Sequence, residues 1–284
     1  MFKNASIYKL SDPAQLQGLD KTLAQARFVP VGTHDLKSFG WAPVRGDELS
    51  VYLQGHSLLK FVVEKKVIPP SALKRAIEAR CVQQAEAQGF PPGRMQRKEI
   101  AETVLDVLAA RAMTSRAETL VWIDHAAGRV IVDSTSSSTL DLVTTALISV
   151  SGLELTSMDA WAGAQMNAWL LNEDALPFDY VIDDAIQMEY PGERGTLVLF
   201  KKADLDESAV TMHADAGAVV TKMALTFKSR VSFSLMVTHQ LTNIKLLDVA
   251  KDRQVAQDAD EFENSFMLVA LELSALISSL SEGA

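Results

Sequence analysis

Four aspartates are the residues of this sequence best suited to holding a catalytic metal ion. Asp124 and Asp133 each stand at the end of a predicted strand, and Asp183 and Asp184 are neighbours in the chain. Carboxylates in such positions can bind Mg²⁺ in a nuclease. A two-metal site needs several converging carboxylates, however, and aspartates at strand ends or in exposed pairs more commonly serve turns or contact water. We therefore keep a metal-dependent DNA exonuclease only as the alternative to a non-enzymatic function.

The other reactive residue types form no catalytic or metal-binding motif. The five histidines lack the HxH, HExxH and HxxxH spacings of zinc sites, and the single cysteine, Cys81, excludes a disulfide framework. The sequence contains no GxSxG nucleophile elbow, P-loop or GxGxxG fingerprint. Because no catalytic or metal-binding motif is present, we expect no enzymatic activity, no cofactor and no metal ion.

The basic residues favour a polyanionic partner. The chain has 27 Lys and Arg against 36 Asp and Glu, a net charge of −9, but residues 60–130 hold 12 basic against 8 acidic residues. An acidic protein can bind DNA if its cations share one surface, and segments without a base-reading motif suit sequence-independent contact with phosphates. The candidate DNA-binding residues are Lys74, Arg75, Arg80, Arg94, Arg97, Lys98, Arg111, Arg116, Lys201, Lys202 and Lys222. A further alternative is a protein-binding module that uses residues 131–200, where 1 basic residue stands against 11 acidic ones.

Three of these cations lie where a helix is predicted to begin. Arg94, Arg97 and Lys98 precede apolar residues at helical spacing. Cations there oppose the helix macrodipole at a cost of about 0.3–1 kcal/mol each. Departures from a local rule tend to mark functional positions. The competing interpretation is a solvated helix end, partly offset by Glu99 and Glu102.

The hydropathy pattern predicts an α+β fold with two sheet-and-helix domains. A projecting helical hairpin, residues 71–115, interrupts a central domain made of residues 1–70 and 116–152. Residues 153–284 form a C-terminal domain whose long final helix has an apolar stripe, interpreted as core, with a subunit interface as the alternative. The N-terminus lacks the apolar segment of a signal peptide, and residues 266–277 are too few to span a bilayer. We therefore expect a cytoplasmic protein without membrane contact.

Several blocks of sequence, taken in order, resemble one family. They are FKNASIYKL, FVPVGTHDLKSFGWAPV, KKVIPPSALKRAIEAR, GRMQRKEIAETVLDVLAARAM, TLVWIDHAAGRVIVDS, FKKADL and AGAVVTKMAL. Together they span nearly the whole chain and resemble the recombination-associated RdgC family. The resemblance implies a ring-shaped homodimer around double-stranded DNA, with the helical insert as a tip that meets its mate and the C-terminal domain as the opposite, base interface. It also implies a nucleoid-associated protein that restrains RecA-dependent recombination and assists replication restart.

The resemblance also identifies residues, and two departures from the family pattern. The basic residues that fall in matching blocks are Arg94, Arg97, Lys98, Arg111 and Lys202. Where relatives carry an exposed aromatic residue at the tip, this chain has Met113. Residues 137–151, where relatives carry Lys and Arg, contain no basic residue. We expect weaker phosphate contact along that helix, and a dimer contact through Met113 that opens for loading.

Overall fold

Strands and helices alternate irregularly along the chain, which confirms the predicted α+β class. The computed structural model describes residues 2–11, 19–157, 162–192, 195–201, 207–251 and 260–282. The strands within these ranges are β1 (Ser6–Leu10), β2 (Lys37–Ala42), β3 (Ser50–Leu53), β4 (His56–Lys66), β5 (Thr114–Asp124), β6 (Arg129–Val132), β7 (Leu155–Ser157), β8 (Tyr180–Glu189), β9 (Leu197–Lys201), β10 (Val219–Phe227), β11 (Val231–Met236) and β12 (Leu241–Leu246). The helices are α1 (Leu19–Leu23), α2 (Pro70–Gln88), α3 (Arg94–Arg111), α4 (Ser137–Ser151), α5 (Ala162–Leu171), α6 (Glu207–Asp215), α7 (Asp248–Lys251) and α8 (Glu261–Glu282).

The first sheet is antiparallel and carries the helical insert at one end. Its strand order is β2-β4-β5-β6-β1-β7, and the short β3 also pairs with β4. The longest ladder joins β4 to β5, from His56 opposite Asp124 to Lys66 opposite Thr114. One face of this sheet packs on α1 and α4, and the other packs on α8. The sheet is therefore covered on both faces near its centre, whereas the insert continues from the far end of the β4–β5 ladder.

The insert consists of α2 and α3, which pack against each other. Gly89 ends α2 in the left-handed region at φ +81°, a conformation that glycine adopts without steric cost. The side-chain amide of Gln96 donates to the side-chain oxygen of Gln88 at 3.3 Å, which joins the two helices next to the turn. Only Cys81 in α2 and Ala109 in α3 are buried. Most of the apolar surface of the insert is therefore only half covered.

The second sheet and the last helix build the largest core. The strand order is β12-β11-β10-β8-β9. Helix α8 lies between the two sheets, where its apolar residues share one cluster with Trp122 and Ile131 of the first sheet and Phe227 and Phe233 of the second. Among the described helices, α8 alone has the length and hydropathy of a membrane span. Its contacts on both sides are those of a core helix, which confirms that its apolar stripe belongs to the core.

The two sheets are also joined through the N-terminal strand. Ala5 exchanges backbone hydrogen bonds with Leu241 of β12, at 2.8 and 2.9 Å, just before the chain enters β1. Strand β7, which follows residue 153, pairs with β1 in the first sheet. The two sheets thus share the core around α8 and exchange these backbone contacts. The predicted division into two domains at residue 152 stays a prediction.

A buried polar cluster ties the first sheet to α8. The Asp124 carboxylate accepts hydrogen bonds from Arg129 at 3.2 Å and from the Ser274 hydroxyl at 2.6 Å. Nearby, the Trp122 indole N–H donates to Nδ1 of His56 at 3.2 Å. Burial alone raises the pKa of Asp124, but the hydrogen bonds and the Arg129 charge outweigh it and hold that pKa below its ordinary value. Burial lowers the pKa of His56, so its imidazole stays neutral and accepts the Trp122 hydrogen bond.

The depressed pKa of His56 predicts a loss of stability in mild acid. Between its folded pKa and its unfolded pKa of about 6.5, the unfolded chain binds a proton that the folded protein does not. The free energy of unfolding should therefore fall as the pH drops below about 6.5, by at most about 1.4 kcal/mol per pH unit for this group. Asp124 adds a further loss only as the pH falls below about 4, through its own depressed pKa.

Urea denaturation at a series of pH values checks this prediction. His56→Gln should flatten the decline below pH 6.5, whereas His34→Gln, at an exposed position, should leave it unchanged. An identical decline in the wild type and in His56→Gln would contradict the assignment of this acid sensitivity to His56.

Candidate nucleic-acid interface

The three cations predicted to start a helix lie within the first five residues of α3, with Arg94 and Arg97 in its first turn. Arg94, Arg97 and Lys98 are all exposed, and that turn contains no acidic residue. Lys98 lies 3.8 Å from Glu102 in an exposed pair, and within the described residues no ion pair involves Arg94 or Arg97. Residues three and four positions apart share a helix face. Three positive charges therefore stand together at this end of the helix.

Four more basic residues lie along the insert. Lys74, Arg75 and Arg80 are exposed on α2, and Arg111 is exposed in the last turn of α3. Because a helix rises about 1.5 Å per residue, Arg111 lies about 26 Å along the axis from the start of α3. The candidate residues of the insert are therefore spread along both helices and do not form one compact cluster.

The remaining candidates lie on the two sheets. Arg116 is exposed on β5 and forms an ion pair with Glu118 at 3.0 Å. Lys201 of β9 and Lys222 of β10 line one hollow of about 220 Å³ on the second sheet. Lys202 lies outside the residues that the structure describes. The structure thus brings Lys201 and Lys222 together, on a different sheet from the one that carries the insert.

Two lysines that the sequence pattern does not single out face each other across strands. Lys37 of β2 is directly opposite Lys65 of β4, and both are exposed. Like charges in this position are destabilising unless an anion lies between or beside them. Their proximity depends on the register of the two strands, for which the sequence carries no local signal. They are basic residues that sequence reasoning missed.

The four aspartates of the nuclease hypothesis lie in three separate places, and only Asp183 and Asp184 share one. Asp124 belongs to the buried cluster, and Asp133 accepts hydrogen bonds from two backbone N–H groups near the N-terminus, at 3.1 and 2.8 Å. Asp183 accepts a hydrogen bond from a threonine hydroxyl of β10 at 2.9 Å, and it lines a hollow of about 420 Å³ with Asp184. Among the described residues, no three His, Cys, Asp or Glu side chains are placed to hold a metal ion.

Met113 lies where α3 joins β5, away from the free end of the helix pair. Its carbonyl accepts a hydrogen bond from the Val67 N–H at 2.8 Å, and the residue is 83% exposed. At the free end, the large exposed apolar residues are Phe90 and Met95. A dimer contact through Met113 stays a prediction, and Phe90 and Met95 are two more candidates for such a contact.

Comparison with known proteins places the chain in a family. A family model described as "Putative exonuclease, RdgC" matches residues 1–283. The recombination-associated protein RdgC of Burkholderia cenocepacia is 33% identical over 288 residues, which cover 98% of this chain and 94% of the relative. Its namesakes from Herminiimonas arsenicoxydans and Bordetella pertussis are 33% and 31% identical, over 98% of this chain and 96% of their own lengths. The chain belongs to the RdgC family of recombination-associated proteins.

Proposed function

We propose that this protein binds double-stranded DNA independently of sequence, as a closed ring of two copies, and that it does not cleave the DNA. In this proposal the ring acts on the nucleoid in the cytoplasm, where it restrains RecA-dependent recombination and assists replication restart. Relatives named as recombination-associated proteins support a role connected with DNA. The exonuclease of the family description would need a cluster of metal ligands, and the four candidate aspartates do not converge on one place.

The observation that carries the proposal is the position of Arg94, Arg97 and Lys98 within the first five residues of α3. The N-terminus of a helix carries a partial positive charge and repels cations placed beside it. A bound anion would neutralise this positive charge and relieve the repulsion. Further cations lie up to about 26 Å away along the helix. Duplex DNA carries about one phosphate charge per 1.7 Å of its axis, so a duplex along the insert would offer phosphates to both ends of α3.

Exposed apolar side chains on the insert support association of two copies. Phe90 is 59% exposed and Met95 is 69% exposed, at the free end of the helix pair. Two chains that each carry a net charge of −9 repel each other, so a stable dimer needs apolar contact. A ring closed at the insert and at the C-terminal domain could open at the smaller of the two contacts to admit DNA.

Charge at the free end of the insert should weaken the dimer. The double variant Phe90→Asp, Met95→Asp should raise the dimer dissociation constant at least about tenfold in sedimentation experiments, because it places carboxylates in an apolar contact. The matched control Ser71→Asp, Ala79→Asp adds the same charge at exposed positions of α2 away from the free end and should change the dissociation constant little. Equal weakening by both double variants would assign the effect to net charge and would contradict a contact at the free end.

A gel-shift salt series tests DNA binding itself. Linear duplexes of two unrelated sequences are titrated with protein at increasing salt, with and without Mg²⁺. We expect log K to fall linearly with log salt, by about 0.9 per phosphate contacted, equally for both sequences and without cleavage. Cleavage that requires Mg²⁺ would support the exonuclease instead. An absence of binding at low salt would favour a module that contacts only proteins.

A further inference from the structure

A groove between α4 and strand β2 has no part in the proposed DNA contacts. It is a hollow of about 350 Å³, and Phe39 of β2, Ala26, and Leu142 and Ala146 of α4 supply its apolar lining. Phe39 is 48% exposed in the chain. A large apolar side chain next to a hollow of this size is typical of a surface that receives an apolar group from elsewhere.

Basic groups lie in and next to this apolar lining. Arg27 is part of the lining, and its one ion pair within the described residues is a 3.8 Å contact with the fully exposed Asp47, which contributes little. The Lys37 ammonium lies 5.7 Å from the centre of the Phe39 ring, and Lys65 is directly opposite Lys37. One cation thus lines the groove, and Lys37 lies next to its Phe39 as part of a like-charge pair with Lys65 that an anionic partner would stabilise.

We propose that this groove, lined by Phe39, Leu142 and Ala146, binds an acidic segment of a partner protein. The segment inserts one bulky apolar side chain into the hollow, and its carboxylates contact Arg27, Lys37 and Lys65. An apolar anchor in a pocket, with charged contacts at the rim, is the usual arrangement of a small protein interface. The proposal does not depend on DNA binding by the insert.

The lining favours a peptide over a single-stranded nucleic acid. Sites for single strands stack successive bases on several aromatic rings within a basic channel. Here Phe39 is the one aromatic residue of the lining, so successive bases would find no row of rings on which to stack. Asp141 also lines the groove and repels any anion, so the carboxylates of the peptide lie towards Arg27 and Lys37, away from Asp141. Aliphatic and small side chains make up most of the remaining lining, which suits an aliphatic or aromatic side chain of a peptide.

Selection from a random-peptide display library tests the proposal. Peptides are selected on the full chain and counter-selected on the double variant Thr145→Glu, Ser149→Glu, which adds two carboxylates at exposed positions of the groove. We expect the selected peptides to combine several Asp or Glu with a Leu, Ile, Phe or Trp. They should bind the wild type at least about tenfold more tightly than the double variant, and more weakly as salt increases.

Two single variants complete the test. Lys37→Glu changes a residue of β2 that lies next to Phe39, rather than a residue of α4, and should weaken the selected peptides to a similar degree. A loss of binding in this variant therefore cannot come from a folding defect in α4. Ser138→Glu, exposed on α4 but outside the groove, should leave their affinity unchanged. The proposal is overturned by failure to select any peptide, by selected peptides without acidic residues, or by equal binding to wild type and double variant. Oligothymidine binding that the double variant loses, without any selected peptide, would assign the groove to nucleic acid and would overturn it too.

Discussion

Replacing Arg94, Arg97 and Lys98 together with alanine is expected to weaken duplex binding about a hundredfold at about 0.15 M salt. Each lost phosphate contact lowers the slope of log K against log salt by about 0.9, so three contacts lower it by up to about 2.7. The melting temperature should stay unchanged or rise slightly, because the removed cations oppose the macrodipole of α3. Fluorescence anisotropy across a salt series and a thermal melt measure the two quantities.

A matched control separates the position of these cations from their charge. Lys9, Lys21 and Lys228 are exposed lysines outside the insert, and replacing all three with alanine removes the same net charge. This control should keep most of the affinity and most of the slope. If the insert variant bound DNA as the wild type does, its three cations would be an ordinary solvated helix end.

Asp124→Ala is expected to destabilise the fold strongly, by about 3–5 kcal/mol in urea denaturation. The carboxylate is 1% exposed, and its removal leaves Arg129 buried without the charge that compensates it. The Ser274 hydroxyl of α8 also loses its acceptor, so the contact between the first sheet and α8 weakens. The additional substitution Arg129→Met should recover part of the loss, because it removes the unpaired charge.

An exposed ion pair provides the comparison for Asp124→Ala. Glu118→Ala breaks a 3.0 Å pair with Arg116, in which both side chains are about half exposed, and should cost less than about 1 kcal/mol. If Asp124→Ala cost as little, the carboxylate would not be needed for the packing of α8. Its candidacy as a metal ligand would then be open again.

The helices of the insert are predictable from the sequence because local signals mark their ends. Pro70 stands in the first turn of α2, and Gly89 ends that helix with a positive φ. The sequence predicts one helix that Ser71 caps and Gly89 ends, and a second from about Gln96 to Ala112. The observed bounds, Pro70–Gln88 and Arg94–Arg111, lie within two residues of these. The final helix is predictable for a similar reason, since its apolar stripe repeats at helical spacing over its whole length.

Two strands show where local signals are insufficient. The sequence pattern predicts that the strand after the insert begins at Thr119, whereas strand β5 begins five residues earlier, at Thr114. These first residues are exposed and gain their strand conformation by pairing with β4. The hydropathy pattern does not predict strand β8, because Asp183 and Asp184 interrupt its alternation. The structure places a register shift against β10 at this point, so three residues of β8 oppose one of β10.

In the candidate site, too, the sequence predicts the features marked by local signals but not the contacts between distant residues. Residue type and helical spacing suffice to identify the cations at the start of α3, because those signals are local. Contacts between distant parts of the chain are not visible in the sequence. The Asp124 carboxylate accepts a hydrogen bond from Ser274, 150 residues away. Lys37 lies opposite Lys65 only because of the register of β2 and β4. The sequence therefore indicates which residues are basic or acidic, and the fold decides which of them act together.

Topological retention on DNA is the most direct test of the proposed ring. Protein is loaded onto closed circular duplex and onto the same duplex linearised, treated with an amine-reactive crosslinker, and washed at high salt to remove phosphate contacts. A ring predicts that crosslinked protein stays on the closed circle through the wash and is released when the circle is cut. Equal loss of protein from circular and linear DNA would contradict encirclement.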